Sequence, residues 1–225
     1  MQKIHAIPLG IDTTYIIQSK GTIMIDGGAP NKAALFEKYL DQLSIEPKEI
    51  KLIILTHAHW DHIASVRDIK KITEAELALH YTEREWLETT KPPMPPGITL
   101  WGKVLGSILK IVLPSIKIPF AKLDKEISNE GFSLVDYGIN GKVIHTPGHS
   151  PGSVSIVLDS GDAFVGDLAM NGFPLRSGPG LPIFGNDINL IKESWTKILK
   201  SDIKTVYPAH GKPFPAEVMR KAIGI

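Results

Sequence analysis

Between Thr56 and His62 the chain reads Thr-His-Ala-His-Trp-Asp-His, which sets three of its eight histidines and one carboxylate within six residues. Imidazole nitrogen and carboxylate oxygen are the usual donors to zinc and similar divalent ions, so the density of donors points to metal. An apolar run, Leu52-Ile53-Ile54-Leu55, precedes the cluster and reads as a buried strand. A cluster launched from the end of such a strand is held in place, unlike a surface tag. The chain contains no cysteine, which removes thiolate ligands, thiol nucleophiles and disulfides together. Any metal site must be built from His, Asp and Glu.

Three later stretches share the character of the first. Thr146-Pro147-Gly148-His149-Ser150-Pro151-Gly152 sets a histidine in a Gly/Pro turn between strands. Val165-Gly166-Asp167 ends a strand with a carboxylate, and Tyr207-Pro208-Ala209-His210-Gly211 ends another with a histidine. In each, a ligand-type side chain stands where a strand stops, beside a glycine that leaves room. An α/β scaffold assembles a site at one edge of its sheets in this way.

The H-x-H-x-D-H string at 57–62, the T-P-G-H-S-x-G at 146–152, the Gly166-Asp167 pair and the Ala209-His210-Gly211 triplet resemble the metallo-β-lactamase superfamily, in the same order along essentially the whole chain. Asp26-Gly27-Gly28 is similar to that family's early D-x-G element. The resemblance implies a four-layer αβ/βα sandwich. It also implies that His57, His59 and His149 hold one metal, that Asp61, His62 and His210 hold a second, and that Asp167 bridges the two. The residues agree with this independently. His57 and His59, two apart in extended backbone, point the same way, and a set of nitrogen and oxygen donors of this size suits two ions with an open position for water. Zinc is the expected metal, with iron or manganese compatible, because such sites discriminate weakly.

The implied chemistry is hydrolysis. Hydroxide held between two metals would attack an electrophilic carbonyl or phosphorus, with Asp61 orienting it. Asp167 stands where the cysteine-containing β-lactamases carry Cys, so those enzymes are disfavoured. Glyoxalase II-like thioesterases and acyl-homoserine lactonases share the Asp-bridged pattern, but only residues 211–225 follow His210, too few for a glutathione-binding domain. A lactone, ester or thioester is therefore the expected substrate. A phosphodiesterase or nuclease and a mononuclear iron persulfide dioxygenase are the rivals. Tyr137, Phe173, Arg176 and Phe184 are candidate substrate contacts; Asp26 and His145 are candidates to hydrogen-bond the ligands. Trp60 is expected to pack under the ligand loop or wall the pocket, whereas His5 and His80, in strands without companion ligands, read as structural.

The elements that must position these residues follow from patterning. Strands are expected at 4–7, 13–18, 22–25, 51–55 and 76–80, with a helix capped by Asn31 running to about Leu43, another at 63–69 and a third capped by Thr82. Four prolines in Lys91–Gly97 end that order. Beyond them Leu100, Val104, Ile108 and Ile111 recur at helical spacing. The segment from about 91 to 122 reads either as an amphipathic helix completing the core or as a cap overhanging a substrate pocket or a partner subunit, which would suit a lipophilic acyl substrate or a homodimer. Strands at 132–135, 142–145, 154–158, 163–165 and 204–207 follow, with turns at Asn140-Gly141 and Ser160-Gly161, a Gly/Pro-rich loop over 171–187, a helix at 188–199 and a last helix from about Pro215.

A length of 225 residues suits one domain over 1–225. With 25 Lys plus Arg against 24 Asp plus Glu, nothing in the net charge advertises nucleic acid or an anionic surface as a partner. The N-terminus lacks the apolar segment of a signal peptide and no stretch reads as a membrane span, so a cytoplasmic protein acting on a small molecule is expected.

Overall fold

The structure, a computed structural model, describes residues 2–225. The strand β4 (Ile50–Ile54) lies inside a six-stranded sheet, and of its five residues only Lys51 is exposed. A strand covered on both faces reads as a continuous apolar run, and its alternate residues serve two different cores. Ile53 packs outward with Met24, Phe36 and Ile69 beneath helices, while Leu52 and Ile54 pack inward with Ile23, Ile156 and Phe164 between the sheets.

The first sheet has the order β1 (Lys3–Pro8), β2 (Thr13–Gln18), β3 (Thr22–Ile25), β4, β5 (Glu76–His80), β6 (Lys125–Ile127). Its first three strands pair antiparallel and the rest parallel. Helices α1 (Ala33–Leu43), α2 (Trp60–Ile63), α3 (Val66–Thr73) and α4 (Arg84–Thr89) follow in chain order. After them comes α5 (Leu100–Val112), within the 91–122 segment. The second sheet runs β7 (Phe132–Ser133), β8 (Gly141–His145), β9 (Val154–Leu158), β10 (Asp162–Asn171), β11 (Thr205–Gly211), β12 (Phe214–Pro215), and only β10 and β11 pair parallel. A third core packs Val157, Val165 and Val206 against α6 (Ile188–Leu199) and α7 (Glu217–Ile223) through Trp195, Ile198 and Met219. Two mixed sheets inside and helices outside make the expected αβ/βα sandwich.

Local expectations fail where a side chain reaches across from another element. Asn31 does not cap α1: it adopts φ 61°, and the hydroxyl of Ser65 instead accepts from the Lys32 amide at 2.8 Å while donating to the Ala29 carbonyl at 2.6 Å. The helix expected at 63–69 is two, α2 and α3, and Thr82 sits inside a single 3-10 turn that precedes α4. Strand β10 extends six residues beyond Val165, to Asn171. Its register against β11 shifts on both sides of Gly166. Irregularities of this kind re-aim side chains next to functional sites.

The largest correction concerns α5. Leu100, Val104, Ile108 and Ile111 are exposed, Leu100 and Ile111 at 81% each. The opposite stripe faces inward: Gly102 and Gly106 are buried, and Leu105 and Leu109 pack on Met170, Ile183 and Phe184. Gly102 permits this approach, since a Cβ there would lie 2.1 Å from the Ile183 carbonyl oxygen. The helical period holds, but that stripe does not complete the core; the opposite face does the inward packing.

Candidate metal centre

Seven side chains meet at one edge of the sandwich. His57, His59, Asp61 and His62 leave the end of β4 and enter α2; His149 comes from the β8–β9 turn, Asp167 from β10 and His210 from β11. All are buried, with Asp61 the most exposed at 7%. They form three overlapping groups able to hold a metal ion: His57, His59 and His149; His57, His62 and Asp167; Asp61, His62 and His210. The donor atoms of each lie within 4.8 Å of one another. Asp167 divides its carboxylate between the sides, Oδ1 facing His62 Nε2 at 3.5 Å and His210 Nε2 at 3.3 Å, Oδ2 facing His149 Nε2 at 3.6 Å.

The rings are oriented from behind. His62 Nδ1 lies 3.0 Å from Asp26 Oδ2, His210 Nδ1 donates to the Ile11 carbonyl at 3.0 Å, and His149 Nδ1 donates to that of Phe184 at 3.1 Å. His57 Nδ1 meets the Thr56 hydroxyl, which itself donates to Asp26. Asp26 therefore holds both His57 and His62, the second directly. Such outer partners fix tautomer and aim in metal sites. The close approach of the sheets depends on Gly166, at φ 52°, where a Cβ would lie 2.6 Å from the Thr56 hydroxyl oxygen.

What remains unpaired is what a metal would take. His57 Nε2, His62 Nε2 and Asp167 Oδ1 are buried without any hydrogen-bond partner. Orphaned polar atoms are rare in folded proteins and costly, and these three converge on one another. The donor set fits divalent ions.

Electrostatics divides the cluster. Burial, reinforced by the neighbouring histidines, holds His57 well below its ordinary value, and burial with His149 brings His59 down to about 3. Burial also lowers His149. Burial would lower His62 and His210 too, but Asp26 and Asp167 outweigh it at His62, and Asp167 and Asp61 at His210, so both are raised well above the ordinary range. Asp167 in turn is held well below the carboxylate range, since His210 and His62 overcome its burial.

A donor set of this composition at the edge of this sandwich defines a candidate metal-binding site. The chain belongs to the metallo-β-lactamase superfamily, whose family model matches residues 6–210. It is 26% identical to the probable metallo-hydrolase YflN of Bacillus subtilis (strain 168), over 96% of this chain and 87% of that one. It is 28% identical to a hydroxyacylglutathione hydrolase of Francisella philomiragia, over 84% of this chain and 58% of that one. The crystal structure of the BLEG-1 B3 metallo-β-lactamase matches with a TM-score of 0.71 and 29% identity, over 98% of this chain and 97% of that one.

A cavity of about 490 Å³ opens over the cluster. His59, Asp61, His149, Asp167 and His210 form its floor, and Trp60 walls it. The apolar part of its lining includes Met94, Leu105, Leu109, Met170, Leu175 and Phe184. Phe173 and Phe184 line this space as expected; Tyr137 and Arg176 do not. Tyr137 lies elsewhere, its hydroxyl bonded to Glu76, because the short turn after β7 carries it to the far edge of the first sheet. The Arg176 guanidinium folds back over Gly180. His145 touches no member of the cluster. It stacks on His80 and donates to the Pro151 carbonyl at 2.8 Å, bracing the turn that carries His149.

Sequence reasoning missed Glu83. Its buried carboxylate accepts from the Ala58 amide, the Ser150 hydroxyl and the Gly152 amide, tying the His57–His62 loop to the His149 turn. A glutamate at the start of a helix reads as surface, and nothing in its neighbours signals otherwise.

Proposed function

We propose that the protein hydrolyses an uncharged lactone, ester or thioester bearing a lipophilic acyl chain, with two divalent metal ions, zinc first among them. His57, His59 and His149 would hold one ion, Asp61, His62 and His210 the other, with Asp167 spanning both. Bound there, the ions would supply Lewis acidity and a water whose pKa falls from about 15.7 toward 7. The chain's own groups do the rest. Asp61, whose Oδ2 stands 3.3 Å from His210 Nε2, also borders the cavity and can accept a proton on its free side. Asp167 fixes the spacing of the two donor sets, and Trp60 with Phe184 shields the floor from bulk water.

The observation that carries the reading is the cavity wall. Apart from the donor residues it is apolar, and no Lys or Arg lines it among the described residues. Glutathione conjugates and phosphodiesters bring anionic groups that such a wall leaves unpaired, at a cost in desolvation. An acyl chain gains from burial there, by about 0.8 kcal/mol per methylene.

Metal stoichiometry combined with a panel of lactones, thioesters, phosphodiesters and β-lactams tests this. Turnover should require metal and favour long-chain lactones or thioesters, and His59→Ala or Asp167→Ala should lose metal and turnover together. Full activity in a metal-free variant would overturn the mechanism, and a preference for phosphodiesters would overturn the substrate class.

A further inference from the structure

The 91–122 segment differs from the rest of the chain in charge as well as hydropathy. Residues 91–123 contain five lysines and no Asp, Glu or Arg, so the remainder of a chain with net charge +1 is negative. Lys91, Lys103, Lys110, Lys117 and Lys122 are all exposed. None joins an ion pair among the described residues. The basic cluster is invisible in the whole-chain balance because the acidic excess of the remaining residues offsets it.

On α5 these charges border an apolar surface. Leu100, Val104, Ile108 and Ile111 form one exposed stripe at spacings of four and three, flanked by half-exposed Trp101 and Val112. Lys103 and Lys110, two turns apart, lie along one edge of that stripe, where their aliphatic stems can cover it and their ammonium groups reach outward. The N-terminal end of α5 is fastened beside the cavity, since Trp101 Nε1 donates to the Pro174 carbonyl at 3.0 Å. The adjoining Phe173, 89% exposed, also lines the cavity. The inner face of the same helix supplies Leu105 and Leu109 to that cavity.

We propose that the outer face of α5 docks the protein onto an anionic lipid surface, with the helix lying in the plane of the interface. Large apolar side chains bordered by lysine, without acidic residues, are the chemistry of an interfacial helix that selects anionic headgroups. The helix rests on the surface and does not cross it: among the described residues no helix is long and apolar enough to span a membrane. A second copy of the chain is a poorer occupant. Two such faces would bring lysines against lysines with no carboxylate between them. The docking stands on α5 alone and goes beyond the hydrolase reading.

Co-sedimentation of the full chain with vesicles tests it. With phosphatidylcholine containing phosphatidylglycerol the protein should pellet, with phosphatidylcholine alone it should stay in the supernatant, and salt should release it. Lys103→Glu with Lys110→Glu should lower partitioning by at least about tenfold, and Ile108→Ser with Ile111→Ser should lower it similarly. Unchanged thermal transitions would verify that these exposed positions leave the fold intact. Equal pelleting with neutral and anionic vesicles, no pelleting at all, or variants that bind like the parent would each overturn the proposal. So would a lipid-free dimer that Ile108→Ser with Ile111→Ser dissociates. None of these readouts uses hydrolysis, so their failure leaves the proposed reaction standing.

Discussion

The Glu83 carboxylate accepts the amide of Ala58 at 2.6 Å, the residue between His57 and His59, and so sets the backbone from which both rings project. The same carboxylate takes the Ser150 hydroxyl and the Gly152 amide from the turn that carries His149. One buried side chain therefore holds two loops that are distant in sequence at the spacing the His57, His59 and His149 group needs.

Removing that clamp should loosen the group without touching a donor atom. Glu83→Ala is expected to weaken metal binding by about 10- to 100-fold, the usual cost of losing an outer hydrogen-bond partner. Glu83→Gln, which keeps one acceptor oxygen, should fall between. Competition with a chromophoric chelator measures both; parent-like affinity in Glu83→Ala would show that the loops hold themselves.

The split in histidine protonation predicts how metal loading trades protons. His57, His59 and His149 are held neutral by burial, whereas His62 and His210 are kept protonated by the carboxylates around them. Near pH 7, filling the first group should release no proton, and filling the second should release one each from His62 and His210. Titration calorimetry in buffers of different ionisation enthalpy resolves the two. Equal proton release at both steps would contradict the assignment.

Asp12 is buried beside the cluster with both carboxyl oxygens unpartnered, and burial pushes it from 3.8 up to about 7. A carboxyl raised in the folded state makes its full contribution to the stability of the metal-free fold below about pH 4, where folded and unfolded chains are both protonated. That stability is lost as the pH rises to about 7, where the folded state ionises too. Asp12→Asn should therefore stabilise the metal-free protein near pH 8, by at most on the order of 4 kcal/mol, and give no gain below about pH 4. Urea unfolding at the two extremes checks the sign.

Narrowing the apolar wall should shorten the preferred substrate. Leu105→Trp fills space within the cavity, so kcat/KM should fall by about fourfold for each methylene that no longer fits, with short-chain substrates little affected. A uniform loss across chain lengths would mean that the wall does not contact the acyl group.

The donor residues were legible because their chemistry is local. His57, His59, Asp61 and His62 are adjacent in sequence, and His149, Asp167 and His210 each stand beside a glycine, although Asp167 lies inside β10, next to its register shift, and not at a strand end. Element order was legible for the same reason, since β5, β9 and α6 carry clear periods between turn residues. What could not be read depends on distant partners. The turn into α1 is held by Ser65, more than thirty residues away, which accepts the Lys32 amide, and the role of Glu83 exists only once three loops meet. The inward face of α5 is not legible for a physical reason: both of its faces are apolar, so a stripe at helical spacing says that a face exists and not which way it turns. Residue type alone does not place Tyr137 or Arg176: the turn that carries Tyr137 leads away from the cavity, and Arg176 follows cavity-lining residues but folds its guanidinium back over Gly180.

The cluster draws on both halves of the chain: four of its members lie between His57 and His62, and the other three begin at His149 and end at His210. During synthesis, the first four emerge long before the rest, and Asp61 with His62 must wait for a histidine from the last strand pair. Complete coordination thus comes only after the two sheets have docked, which makes metal capture a report that folding is finished and a lock against the halves coming apart again.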